Sequence, residues 1–207
     1  MKNKEKLLKD LNHAKKIFDK YLLNKDFLYI YENKNDNLIE YFEMKCTANN
    51  FLHLTGIKTN ITASNFYSAL SNGKISLKDI DYKLNGTTRL KLEVFSRLPL
   101  LFNSSIQVCF QDDFFTLRLQ VDIMLNKLPL NRKDIILGLK KIKKSNFFVP
   151  ASILKEEPQK IGKNFSRVLC IMEKNRFDKK YSVIKYKVKD IDIDELLNEI
   201  ICEKIDM

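Results

Sequence analysis

A chain of 207 residues with 44% hydrophobic content can bury one substantial core, which excludes a disordered protein and fits one domain, or one domain with an appendage. Five Gly and four Pro exclude long flexible linkers, and no run approaches the ~18 apolar residues of a membrane span. The net charge of +11, from 37 basic and 26 acidic residues, points to phosphates, anionic lipids or acidic proteins, although a Lys-, Asn- and Ile-rich composition of AT-rich coding gives the same excess.

Only six arginines are available for bidentate phosphate contacts: Arg89, Arg97, Arg118, Arg132, Arg167 and Arg176. The cysteines Cys46, Cys109, Cys170 and Cys202 are scattered, with no CxxC pair and no His at ligand spacing. That pattern argues against a zinc site, so no metal and no cofactor is expected. The first residues do not form a signal peptide, and free thiols suit a reducing cytoplasm.

In chain order, apolar residues recur at helical spacing from Leu7 to Leu22, giving an amphipathic helix over 4–24 with a Lys-rich outer face. His13 falls on its polar side and reads as surface. Asn24-Lys25-Asp26 ends it. Strands at 27–31 and 38–45 flank a turn at Asn33–Asn37 and read as a hairpin. Thr62 is a plausible N-cap for a helix through Phe66, Tyr67 and Leu70, closed by Asn72-Gly73. A short helical turn is expected at Ser76–Asp79. Thr87 or Thr88 then starts a helix to about Leu98, with Leu92, Phe95 and Leu98 as its inner stripe and Pro99 at its end.

After Asn103-Ser104-Ser105 the period changes to two. Ile106, Val108 and Phe110 alternate with polar residues, as do Leu117, Leu119, Val121 and Ile123. Ile135–Ile142 reads as a strand, and the apolar run Phe147-Phe148-Val149 ends at Pro150. Residues 167–173 and 181–188 form a closing hairpin, and 192–205 an amphipathic helix with early acidic residues. The order gives an α+β fold: N-terminal helices packed on a curved antiparallel sheet, with a C-terminal helix.

The segment Phe51-Leu52-His53-Leu54-Thr55-Gly56-Ile57 holds one of only two histidines, between apolar neighbours. Taken alone, His53 reads as a buried imidazole with a backbone partner. Beside Phe66-Tyr67 and Arg89-Leu90-Lys91 it reads as a proton donor or acceptor near a phenol and two cations. The dull alternatives are a half-exposed aromatic pair, a solvated helix start and a simple turn at Thr55-Gly56.

These motifs, followed by Val149-Pro150-Ala151-Ser152, resemble in order and spacing a phage-associated nuclease-like family of the barnase, EndoU, colicin and RelE-like group, in its fourth phage subtype. The similarity covers roughly residues 40 to 155. The resemblance implies helices followed by a four-stranded antiparallel sheet, and metal-independent RNA cleavage. A base would take the proton of a ribose 2′-hydroxyl, an acid would protonate the leaving 5′-oxygen, and cations would hold the phosphoryl charge. On that reading His53 is the imidazole, Lys91 and Arg89 form the electrostatic clamp, Tyr67 orients a phosphate or stacks a base, and Thr55 and Ser152 donate hydrogen bonds.

The chain then divides into the N-terminal helix and first strand of a hairpin (1–36), a nuclease-like core (37–155) and a C-terminal hairpin and helix completing the same domain (156–207). The competing reading is a non-catalytic phage protein that binds and inhibits a nucleic-acid-guided host defence nuclease. Its contact surface would be the N-terminal helix and the lysines Lys140, Lys141, Lys143 and Lys144, and its partner RNA or an RNA-bearing protein complex.

Overall fold

The computed structural model describes residues 2–115, 121–127, 135–143, 145 and 147–198. The first helix, α1 (Lys2–Tyr21), buries Leu7, Leu11, Ala14 and Phe18, the apolar stripe that its periodicity requires. Asn24 adopts a φ of 57°, and the chain turns directly into β1 (Lys25–Glu32). β1 pairs antiparallel with β2 (Ile39–Lys45) from Asp26 opposite Lys45 to Glu32 opposite Ile39, which is the expected hairpin.

Four short helices follow: α2 (Asn50–Thr55), α3 (Ala63–Ser71), α4 (Thr87–Val94) and α5 (Leu100–Asn103). The rest of the chain is mostly strand: β3 (Ile106–Phe110), β4 (Ile123–Lys127), β5 (Ile135–Lys141), β6 (Phe147–Lys155), β7 (Ser166–Asn175) and β8 (Val183–Lys187). Helical turns at 193–198 begin at Asp192, whose carboxylate accepts hydrogen bonds from the Asp194 and Glu195 amides. The class is therefore α+β.

The sheet is larger than the four strands implied by the family resemblance. Its eight described strands run β1-β2-β6-β5-β4-β3-β7-β8, and β1 also pairs with β7. That extra pairing closes seven strands into a ring and leaves β8 alongside β7. Closure covers the hydrogen-bonding edges that an open sheet would expose. Among the described pairings only β2–β6 is parallel.

Side-chain alternation explains how the ring is filled. Phe27, Tyr29 and Tyr31 of β1 join the main core with α1 and the short helices, while Leu28 and Ile30 face the other way, against Leu196. The main core is strongly aromatic. The Phe27 and Phe102 rings stack at 4.8 Å, and Tyr29 and Phe42 at 4.9 Å.

Several expectations change. Ser76–Asp79 is a non-helical turn, held by the Asp79 carboxylate, which accepts from the Ser76 amide and hydroxyl at 2.7 Å each. The helix from Thr87 stops at Val94, and a 3₁₀ turn covers Phe95–Arg97. Within it Lys91 is buried and Leu92 only half-buried, so the inner stripe is Thr88, Lys91, Val94, Phe95 and Leu98. Val121 lies outside β4, and its methyl groups fill the space above Gly138, where a Cβ would meet them at 2.8 Å. The Leu117 and Leu119 part of that expected strand lies outside the described residues. Strand β6 does not end at Pro150. A register shift after Gly138 leaves an extra residue on the β6 side, and proline is tolerated at such a bulge because no ladder N–H is needed there. The described part of the expected 192–205 helix stops at 198.

Candidate functional site

The segments that carry the family resemblance meet in space. Asn50, at the start of α2, donates from its side-chain amide to the Pro150 carbonyl of β6 at 3.0 Å. Gly56 ends α2 with a φ of 62°, and its carbonyl accepts from the Thr88 hydroxyl of α4 at 2.6 Å. The Lys91 ammonium donates to the His53 carbonyl at 2.8 Å. Thus α2 is clamped between β6 and α4. Ser152 is half-buried on β6, opposite Gly138.

Within this junction the predicted residues do different things. His53 is exposed, not buried as its apolar neighbours suggest. Lys91 touches its backbone and caps the carbonyl end of α2. Thr55 is buried, and its hydroxyl donates to the Leu52 carbonyl at 3.1 Å. Lys91 is 7% exposed, and burial, aided by the nearby Lys83 charge, lowers its pKa to about 8.

That depression has a testable consequence. Between pH 8 and the usual 10.5 the unfolded chain binds more protons at this lysine than the folded one, so its contribution makes stability rise with pH over that window. Below pH 8 the burial penalty stands in full, roughly 3 kcal/mol for that gap. Urea denaturation of wild type and Lys91→Met should give a stability difference that shifts towards the wild type as pH goes from 7.5 to 10.5. A difference independent of pH would show that the buried ammonium is not penalised.

Arg89 points to a different place from Lys91. It lies two residues earlier on α4 and lines a solvent-open cleft of about 710 Å³ between α4 and α1. From α1 come Lys6, Lys9, Asp10 and His13, and from α4 Arg89 and Glu93. Lys6, Asp10 and His13 stand at i, i+4 and i+7, one stripe of the helix beside its buried face. The Arg89 guanidinium carbon sits 5.5 Å from the centroid of the Tyr82 ring, which closes the cleft. Burial first, then the Asp10 carboxylate, push the Tyr82 phenol above its usual range, with Arg89 pulling it down. Glu93 is already engaged by Lys155 of β6. One imidazole, two carboxylates, three cations and a phenol thus face one concave surface. Among the described residues, no group of three His, Cys, Asp or Glu side chains could hold a metal ion.

A family model described as phage-Barnase-EndoU-ColicinE5/D-RelE like nuclease4 matches residues 10–190. The chain belongs to that family. No curated protein and no solved structure is significantly similar to it. In this phage nuclease-like protein the match includes Asp10, His13, Tyr82 and Arg89, while Lys6 and Lys9 precede it.

The remaining predicted residues of the nuclease-like protein are dispersed. The Tyr67 ring packs on Phe18 and Phe51 at 5.9 and 5.7 Å, and its hydroxyl donates to Asp19 of α1. Burial, then that bond, pushes its phenol well up. Lys140, Lys141 and Lys143 are exposed at the end of β5 and just after it, while Lys144 lies outside the described residues. No helix among the described residues is long and apolar enough to cross a membrane. The sequence reading placed His13 on the surface, where it is exposed, and did not single out Asp10. The i, i+4, i+7 spacing with Lys6 was a visible signal, but it does not tell which helix faces that stripe.

Proposed function

We propose that this phage nuclease-like protein cuts single-stranded RNA without a metal, in the cleft between α1 and α4. The observation that carries this reading is the convergence of His13, Asp10, Lys6, Lys9 and Arg89 around the Tyr82 ring in one open cleft. Its volume of about 710 Å³ suits a nucleotide, since small-molecule sites span roughly 300–1,000 Å³. Tyr82 offers a face for a base, and Arg89 and the lysines offer charge for the phosphate.

The roles follow from which groups are already occupied. Glu93 is held by Lys155, so Asp10 is the carboxylate that accepts the 2′-hydroxyl proton. The 2′-oxygen attacks the adjacent phosphorus and gives a 2′,3′-cyclic phosphate. His13 donates its proton to the leaving 5′-oxygen, and Arg89 with Lys6 and Lys9 holds the charge that builds on the phosphoryl oxygens.

The test is incubation of the purified protein with end-labelled RNA and with DNA of the same sequence, both in EDTA. The expected products are a cyclic phosphate and a 5′-hydroxyl from RNA, with DNA intact because it lacks the attacking group. Cleavage that needs added magnesium, or DNA cut as fast as RNA, would overturn the proposal. The exposed lysines at the end of β5 are not among the residues that line the cleft and favour a second reading, a non-catalytic binder of RNA or of an RNA-bearing host defence complex. RNA left intact but bound, with binding lost when Lys140, Lys141 and Lys143 become Gln, would support that reading instead.

A further inference from the structure

We infer that the RNA strand crosses over α1, with one nucleotide in the α1–α4 cleft, the next in a second cleft on the opposite flank of the helix, and the scissile phosphate on the ridge between them. This rests on the cleavage reading above and adds the path of the substrate. The second cleft measures about 610 Å³ and is lined from α1 by Glu5, Leu8, Asn12 and Lys16, with Leu77 from the turn after α3. It shares two residues with the first cleft, Lys9 and His13.

The helix explains why these two are shared. At 100° per residue, Leu7, Leu11, Ala14 and Phe18 point into the core, so Lys9 and His13, one turn apart, occupy the outward ridge. Both are exposed. Asp10 lies to one side of the ridge and lines the first cleft alone; Lys16 lies on the other. Each flank is large enough for one nucleotide. A basic residue is available at each step of the strand: Arg89 and Lys6 in the first cleft, Lys9 on the ridge, Lys16 in the second. The second cleft adds an apolar surface, the half-buried Leu8 and Leu77, against which a base can lie.

The chemistry fixes the polarity of the strand. The nucleotide whose 2′-hydroxyl attacks must be the one beside Asp10, so the upstream nucleotide fills the first cleft. Its 2′-proton passes to Asp10, the new P–O bond forms at the 2′-oxygen, and the P–O bond to the 5′-oxygen breaks. That leaving oxygen belongs to the downstream nucleotide in the second cleft and takes its proton from His13 on the ridge. The substrate is therefore a strand of at least two nucleotides, cut internally.

Two ligands that cannot be cleaved test the path by backbone-amide NMR: uridine 3′-monophosphate and a dinucleotide whose upstream sugar is 2′-deoxy. The mononucleotide should shift amides near Tyr82 and Arg89. The dinucleotide should in addition shift those of Leu77 and Lys16 and bind about tenfold tighter, as one extra stacked base contributes. Lys16→Glu, on an exposed position, and Leu77→Glu should each bring dinucleotide affinity down to that of the mononucleotide. Dinucleotide shifts confined to the first cleft, or affinity unchanged in both variants, would overturn the strand path even if wild type cuts RNA. Shifts across both clefts in a protein that leaves RNA uncut would support the path and overturn the cleavage reading.

Discussion

His13→Ala should reduce RNA cleavage by about 10²- to 10⁴-fold, the usual contribution of a positioned proton donor. On the proposed mechanism the loss should appear in kcat more than in KM, because the imidazole would act on the leaving oxygen while the cations and the Tyr82 face would still hold the strand. Stability should hardly move. His13 is exposed on α1, and surface changes of this kind fall within about 0.5 kcal/mol. His53→Ala is the informative companion. His53 is also exposed, on α2, but it reaches α4 through its backbone carbonyl, a contact that alanine retains. Near-wild-type cleavage by His53→Ala alongside a dead His13→Ala assigns the proton transfer to the α1–α4 cleft. The reverse pattern moves it to the α2–α4 junction, where Lys91, with its pKa lowered to about 8, would be the nearest second group. Equal, mild losses in both variants would defeat either histidine as the acid.

How much of this was legible in the sequence depended on the range of the interaction. Helix α1, the β1–β2 hairpin, α3 and the β7–β8 pair each follow from local periodicity and local turn chemistry, and all formed where expected. Helix α2 did not announce itself, since six residues between Asn50 and Gly56 are too few to show a helical period. The closure of the sheet was beyond local reading altogether. It depends on β1 pairing with β7, Tyr29 opposite Ile171, across most of the chain. The extension of β6 past Pro150 depends on a bulge that only the partner strand reveals.

The site divides in the same way. The Arg89-Leu90-Lys91 motif lies on α4, and its two cations meet different surroundings: Arg89 lines the α1–α4 cleft and Lys91 donates to the His53 carbonyl of α2. Positions i and i+2 on a helix are about 200° apart, so Arg89 faces the α1 cleft while Lys91 turns inward to α2. The motif spacing thus already contained the divergence of the two side chains. His13 was set aside as surface, and it is exposed; what the sequence lacked was the identity of the element opposite it.

Phe51→Ala should be the most damaging single change in the motif region, and it links the core to the cleft. Phe51 is fully buried on α2 and its ring meets Phe18 of α1 at 5.1 Å, Tyr67 of α3 at 5.7 Å and Phe95 after α4 at 6.1 Å. Truncating such a ring removes its own burial and leaves a cavity that four separate elements cannot all collapse into, a loss of about 3–5 kcal/mol. Against a typical total of roughly 5–15 kcal/mol that is a large fraction, and the melting temperature should fall by roughly 10 °C or more. A second effect follows from where the cavity lies. The ring packs against Phe18 of α1 and against Phe95, in the turn that directly follows α4, and α1 and α4 are the two walls that carry Asp10, His13 and Arg89. Cleavage assayed well below the new melting point should therefore also decline, with both kcat and KM affected as the walls lose their spacing. Phe51→Leu, which refills most of the volume, should recover most of the stability and part of the activity. A melting temperature within 2 °C of wild type for Phe51→Ala would show that Phe51 is not the joint. Full activity at low temperature despite a large thermal loss would show that the cleft walls are held apart by other contacts.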